Sequence, residues 1–199
     1  MIYWIPKEDV GKIARRLAQD YELFGPVRHD GGQTFFSQVD DPELMDLSAP
    51  IPSNPPKHVV FPQVDPVFHY RYDPKVQEAK IESLAKPQHK ALFGLRSCDL
   101  QGLLCLDRFF LGQEFVDEFY LTHRKRLFIV SNTCVRPFEQ CFCVCTDSGP
   151  SAEEGFDLNL TELDGGYLVE AGSDAGRAMA EELHLAEAGG ELTEQARAA

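Results

Sequence analysis

The chain of 199 residues is 43% apolar, enough for one domain, or one domain and a tail, around a real core. Its 32 Asp and Glu against 19 Lys and Arg leave a formal net charge of -13, which repels phosphate backbones, excludes a nucleic-acid partner and favours basic partner surfaces. No stretch approaches the roughly 18 apolar residues of a membrane span, and Met1 to Lys7 has neither the basic start nor the small-residue cleavage site of a secretory signal.

The expected compartment is therefore the cytoplasm, where thiols stay reduced, and six cysteines there point first to metal or redox chemistry. Pro6 fits the first position of a helix whose apolar residues, Val10, Ile13, Ala14, Leu17 and Tyr21, recur at helical spacing. Leu23 to Arg28 and Thr34 to Val39 read as a hairpin around Asp30-Gly31-Gly32. Residues 40 to 66 are proline-rich and loop-like, the kind of segment that covers a site. Val67 to Tyr72 suits a short strand, and Lys75 to Ala85 a helix ending before Pro87.

The middle of the chain is the most organised. Lys90 to Leu95 is an apolar run suited to a buried strand, Asp99 to Leu111 is helical, and a short helix follows over Glu114 to Leu121. Arg126 to Ser131 is a second buried strand. Strand, helices and strand form a βαβ unit with parallel strands. Downstream, Phe156 to Leu163 and Gly166 to Glu170 read as a hairpin, and Ser173 caps a helix from about Asp174 to Leu183. The expected fold class is α/β, with α+β as the variant: a mixed sheet with a central βαβ unit flanked by helices, plus hairpins. Residues 1–185 form the cysteine-rich domain, and 186–199 a frayed helix or linker-like tail.

Cys98 and Cys134 each follow one strand of the βαβ unit, so both belong at the carboxyl edge of the sheet, the usual ligand crevice of open α/β sheets. Cys141 and Cys143 continue the same loop as C-x6-C-x-C. Four soft thiolates suit an iron–sulfur cluster or an all-cysteine zinc site, and the spacing matches neither paired zinc knuckles nor the ferredoxin run. Cys145 is a fifth candidate ligand within reach of the same crevice. Cys105, beside Leu103, Leu104 and Leu106, reads as a small buried hydrophobe. Phe138 and Phe142 are placed to screen a cluster from water. Arg96 and Arg136 flank the site, Arg136 suiting a surface ion pair. There is no dinucleotide fingerprint, P-loop or G-x-S-x-G elbow, the six histidines are scattered, and no catalytic centre is indicated. Three classes of function fit: an electron-transfer domain, a zinc-stabilised interaction module, and a thiol-redox protein cycling Cys141 and Cys143.

Phe93-Gly94-Leu95-Arg96-Ser97-Cys98-Asp99-Leu100 resembles the "G-x-R-x-C-D-L" segment of the anaerobic sulfite reductase A subunit and sulfhydrogenase beta subunit family. Cys134, Cys141-Phe142-Cys143 and Gly149-Pro150 are similar to the family's "C…C-F-C…G-P". Phe24-Gly25-Pro26-Val27, Phe61-Pro62-Gln63, Gly155-Phe156-Asp157-Leu158 and Gly166 to Glu170 extend the resemblance over about residues 5 to 185. It implies a subunit of anaerobic metabolism that carries a [4Fe-4S] cluster on Cys98, Cys134, Cys141 and Cys143, with a small non-cysteine residue where this chain has Cys145. Such a subunit is a non-catalytic component of an oxidoreductase complex. It relays electrons between a flavin-containing subunit and a terminal reductase or hydrogenase subunit. The sequence departs from the family in lacking the following ferredoxin-like domain with its C-x2-C-x2-C-x3-C-P runs, which fits an isolated N-terminal domain or a single-domain relative.

Overall fold

The structure, a computed structural model, describes residues 1–49, 51–64, 66–75, 77–83 and 88–198. In chain order the strands are β1 (Ile2–Pro6), β2 (Glu22–Arg28), β3 (Thr34–Gln38), β4 (Phe68–Asp73), β5 (Glu78–Ser83), β6 (Lys90–Arg96), β7 (Leu127–Asn132), β8 (Leu158–Leu163), β9 (Gly166–Ala171) and β10 (Ala186–Glu187). The helices are α1 (Gly11–Asp20), α2 (Ser97–Leu111), α3 (Glu118–Arg124), α4 (Asp174–Glu182) and α5 (Gly190–Ala198).

Eight strands form one mixed sheet in the order β10-β1-β9-β8-β7-β6-β2-β3, and β4 and β5 pair separately as an antiparallel hairpin. The centre is parallel: β2 with β6, β6 with β7, and β7 with β8. Both flanks are antiparallel. This is the expected α/β class, with β6, the helices α2 and α3, and β7 as the βαβ unit.

The parallel strands are buried on both faces, which explains why they read as continuous apolar runs. Ala91 and Phe93 of β6 join Phe128 and Val130 of β7 on one face, against Ile13, Ala14 and Leu17 of α1 and Met179 and Ala180 of α4. Leu92, Leu95 and Ile129 face the other way, against Leu100 and Leu103 of α2 and Tyr120 of α3. Tyr120 also donates its hydroxyl to Asp107 at 2.7 Å, and the Arg124 guanidinium holds the same carboxylate at 3.0 Å, so α3 is pinned to α2 by a shared acceptor.

Three expectations change. Pro6 ends β1, and a 3-10 turn over Lys7–Asp9 separates it from α1, so it does not start the helix. Within the helix expected over Lys75 to Ala85, Glu78–Ser83 is instead the second strand of the β4–β5 hairpin, residues 76, 84 and 85 lying outside the described residues. Alternation of Ala79 and Ile81 with Glu78, Lys80 and Glu82 has the period of a strand, and the pairing with β4 realises it. The segment read as a tail supplies β10, which pairs with β1, and α5, which rests against β8 and β9.

One side chain ties the sheet to α4. The Asp157 carboxylate accepts the Ile129 N–H at 2.7 Å and the Ser173 hydroxyl at 2.5 Å, while Ser173 caps α4 by accepting the Gly176 N–H at 3.0 Å. Gly176 then lies so close that a Cβ would stand 1.8 Å from the Asp157 carbonyl oxygen. Gly176→Ala is therefore expected to cost about 1–3 kcal/mol, the range of an overpacked contact. The measurement is a urea midpoint that falls with the slope unchanged; an unshifted midpoint would contradict the packing.

Candidate functional site

Because β6 and β7 are adjacent and parallel, the segments that follow them leave the sheet at the same edge. β6 carries a bulge at Gly94, where the register with β7 shifts between Phe93 and Leu95. Gly94 takes φ +77°, a backbone conformation that favours glycine, and a Cβ there would meet Leu47 at 2.8 Å. Two residues on, Arg96 points its guanidinium to the Ala49 carbonyl oxygen at 2.8 Å, fixing part of the proline-rich segment beside the strand end.

After β6 the chain turns directly into α2, so Cys98 stands in the first turn of that helix rather than in a free loop. After β7, Cys134 opens an irregular segment that contains Cys141 and the 3-10 turn Cys143–Cys145. Gly149 and Pro150 stitch the two segments together. The Pro150 carbonyl oxygen accepts the Ser97 hydroxyl at 2.9 Å and the Cys134 N–H at 3.1 Å. A Cβ on Gly149 would stand 2.7 Å from Ser97 Oγ and 3.1 Å from Cys143 Sγ. Only a glycine lets the loop close this tightly against α2.

The result is a cavity of about 550 Å³ at the carboxyl edge, lined by Cys98, Cys134, Cys141 and Cys143. The four sequence-derived candidates thus share one space. Cys145 does not line it and is exposed on the 3-10 turn. Cys105 does line it, which overturns its reading as a buried hydrophobe; it is exposed on the same face of α2 as Cys98, two turns further on. That spacing was the available signal, and the leucines around Cys105 concealed it. Ile51, from the proline-rich segment, completes one wall.

The sulfurs sit among polar backbone. The Phe138 N–H donates to Cys141 Sγ at 3.2 Å, and the Cys134 thiol donates to the Arg136 carbonyl oxygen at 3.4 Å. Burial, the Asp99 carboxylate and Cys143 push the Cys98 thiol up to about 11, against two backbone N–H groups that favour its thiolate. Burial likewise lifts Asp99 to about 6, against the pull of Arg96. A thiol so held ligates only when a cation displaces its proton. Among the described residues, no three His, Cys, Asp or Glu side chains form a ready group for a metal ion; the thiols line a wider space.

Three arginines, Arg96, Arg108 and Arg136, line the cavity, and no Asp or Glu among the described residues does. Arg136 forms no ion pair among those residues, contrary to expectation. Phe138 and Phe142 border the cavity yet are 52% and 68% exposed, so they fringe its mouth more than they seal it.

Fold and site together define a mixed α/β domain with a cysteine-lined cavity at the carboxyl ends of its parallel strands. Over 161 residues, 81% of its length, the chain is 33% identical to sulfhydrogenase 2 subunit beta of Pyrococcus furiosus. Over that region it belongs to the sulfhydrogenase beta subunit family. It spans about half of that relative, 45% of its length. No protein-family model matches the chain, and no solved structure does. No helix among the described residues is long and apolar enough to cross a membrane.

The tight closure at Gly149 is testable. Gly149→Ala is expected to separate the Cys143 turn from Ser97 and to lower stability by about 1–3 kcal/mol, read as a fall in the urea midpoint. Gly189→Ala, with nothing within 4 Å of its Cβ position, should leave the midpoint unchanged.

Proposed function

We propose that the chain is an electron-transfer domain that carries one [4Fe-4S] cluster on Cys98, Cys134, Cys141 and Cys143. It serves a cytoplasmic oxidoreductase complex, between a flavin-containing subunit and a terminal reductase or hydrogenase subunit. The observation that carries this reading is the gathering of those four thiols into one cavity by two adjacent parallel strands. The preference for a cluster over a single zinc ion rests on the family: its resemblance implies an iron–sulfur subunit, and the four thiols sharing one cavity are the soft ligands either would need. The subunit name of the Pyrococcus furiosus relative supports membership of a hydrogenase assembly.

A bound cluster would supply one-electron redox chemistry. The chain's own residues set its surroundings. The Phe138 N–H directed at Cys141 Sγ stabilises charge on that sulfur, and Arg96, Arg108 and Arg136 offset the negative charge that four thiolates bring. No organic substrate is bound; the domain works by position and potential.

Anaerobically purified protein is expected to contain about four irons and about four labile sulfides per chain, and to give a paramagnetic signal after dithionite reduction. Cys98→Ala, Cys134→Ala, Cys141→Ala and Cys143→Ala should each lose most of the iron, while Cys105→Ala and Cys145→Ala keep it. Stoichiometric zinc without sulfide, in protein never exposed to air, would overturn the reading.

A further inference from the structure

The chain's overall charge and the charge of its cavity mouth have opposite signs. At a net -13 the molecule should attract basic partners. Yet the cavity has arginines and no carboxylate among its described lining residues. Several basic side chains elsewhere are matched by acids of the same chain, among them Lys7 with Glu162, Arg16 with Asp20 and Glu182, Arg28 with Asp46, and Arg124 with Asp107. Arg108 and Arg136 have no ion pair among the described residues and are exposed. One comes from α2 and the other from the loop after β7, so both sides of the cavity contribute. Arg96 is different: it is half-buried and engaged by Ala49.

The same mouth presents Phe138 and Phe142, with Val144 73% exposed on the adjoining turn. Aromatic residues and arginine are the types enriched at protein interfaces, while lysine and carboxylates are depleted there. Single exposed apolar residues are ordinary, but three within seven residues of one loop, beside arginines that have no ion pair among the described residues, form a patch. Glu139 and Asp147 belong to this loop and do not line the cavity. At physiological salt, charges are screened over about 8 Å, so a docking protein responds to the mouth's own charges more than to the distant total.

We propose that the cavity mouth is the docking face for an acidic redox protein. Carboxylates around the partner's cofactor would engage Arg108 and Arg136, and its apolar centre would lie on Phe138 and Phe142. The proposal rests on the electron-transfer reading and adds the chemistry of the partner. In the docked pair one electron leaves the partner's reduced centre and arrives at the site; no bond forms or breaks, and no proton moves. Such contacts are small, and electrostatic complementarity governs their encounter and orientation.

The test uses flavodoxin, a small acidic flavoprotein, as the probe, with affinity measured by titration calorimetry at low and physiological salt. Arg108→Glu combined with Arg136→Glu is expected to weaken binding by about tenfold or more. Lys12→Glu combined with Arg177→Glu makes the same change in net charge at two exposed ion pairs remote in sequence from the mouth, with Asp9 and Asp174. That control should change binding by less than about twofold. Phe142→Ser should also weaken it. If the double glutamate variant loses its circular dichroism spectrum, the milder Arg108→Gln with Arg136→Gln decides, with a several-fold loss expected. Cytochrome c, a basic haem protein, should not lose affinity on reversal of the mouth charges. Equal effects of the mouth and control pairs, no measurable binding of flavodoxin by the wild type, or a shifted potential with unchanged affinity would each overturn the proposal. Iron and sulfide analysis of the same samples tests the cluster separately, so failure of the two readings is told apart.

Discussion

The parallel pairing of β6 with β7 is the constraint on which the site depends. Parallel strands cannot be joined by a tight turn, so a crossover must carry the chain back, and here α2 and α3 do so. The price of that crossover is a long connection; its product is two chain segments leaving the sheet at one edge. Everything that follows is local adjustment. The bulge at Gly94 sets the end of β6, Pro150 holds Ser97 and Cys134 on one carbonyl oxygen, and Gly149 admits the Cys143 turn against the helix. An antiparallel arrangement of the same two strands would send Cys98 and Cys134 to opposite ends of the sheet.

How much of this could be read from residues alone depended on how local the signal was. β6 and β7 announce themselves as short apolar runs because both of their faces are buried, and the shared edge follows from the handed crossover between them. The hairpins at β2–β3 and β8–β9 carry glycine-bearing turns and were equally legible. β1 was not, because its partners β9 and β10 lie at the far end of the chain and nothing local marks the pairing. At β5, helix-forming residue types outweighed a clear two-residue alternation; cross-strand partners such as Tyr70 for Ile81 decided the outcome.

The site shows the same division. Strand topology alone brings four cysteines to one crevice, and Cys98, Cys134, Cys141 and Cys143 line one cavity. Cys105 is the exception because its leucine neighbours disguise its helical phase: they point elsewhere, while the residue itself shares a face with Cys98. That Arg136 has no ion pair among the described residues is also not legible in the sequence. Its surroundings are set by three-dimensional placement: it borders the cysteine cavity on one side and a pocket with Glu162 and Asp164 on the other.

Neither apolar cluster contains a cysteine. The sheet closes on leucine, isoleucine, valine and aromatic side chains; α2 contributes Leu100 and Leu103 to that interior while its Cys98 and Cys105 turn to the cavity. The apolar interior is therefore assembled without any thiol. Exchanging a thiol at the cavity would remove no member of either interior cluster, so the chemistry of the cavity can vary while the scaffold stays the same.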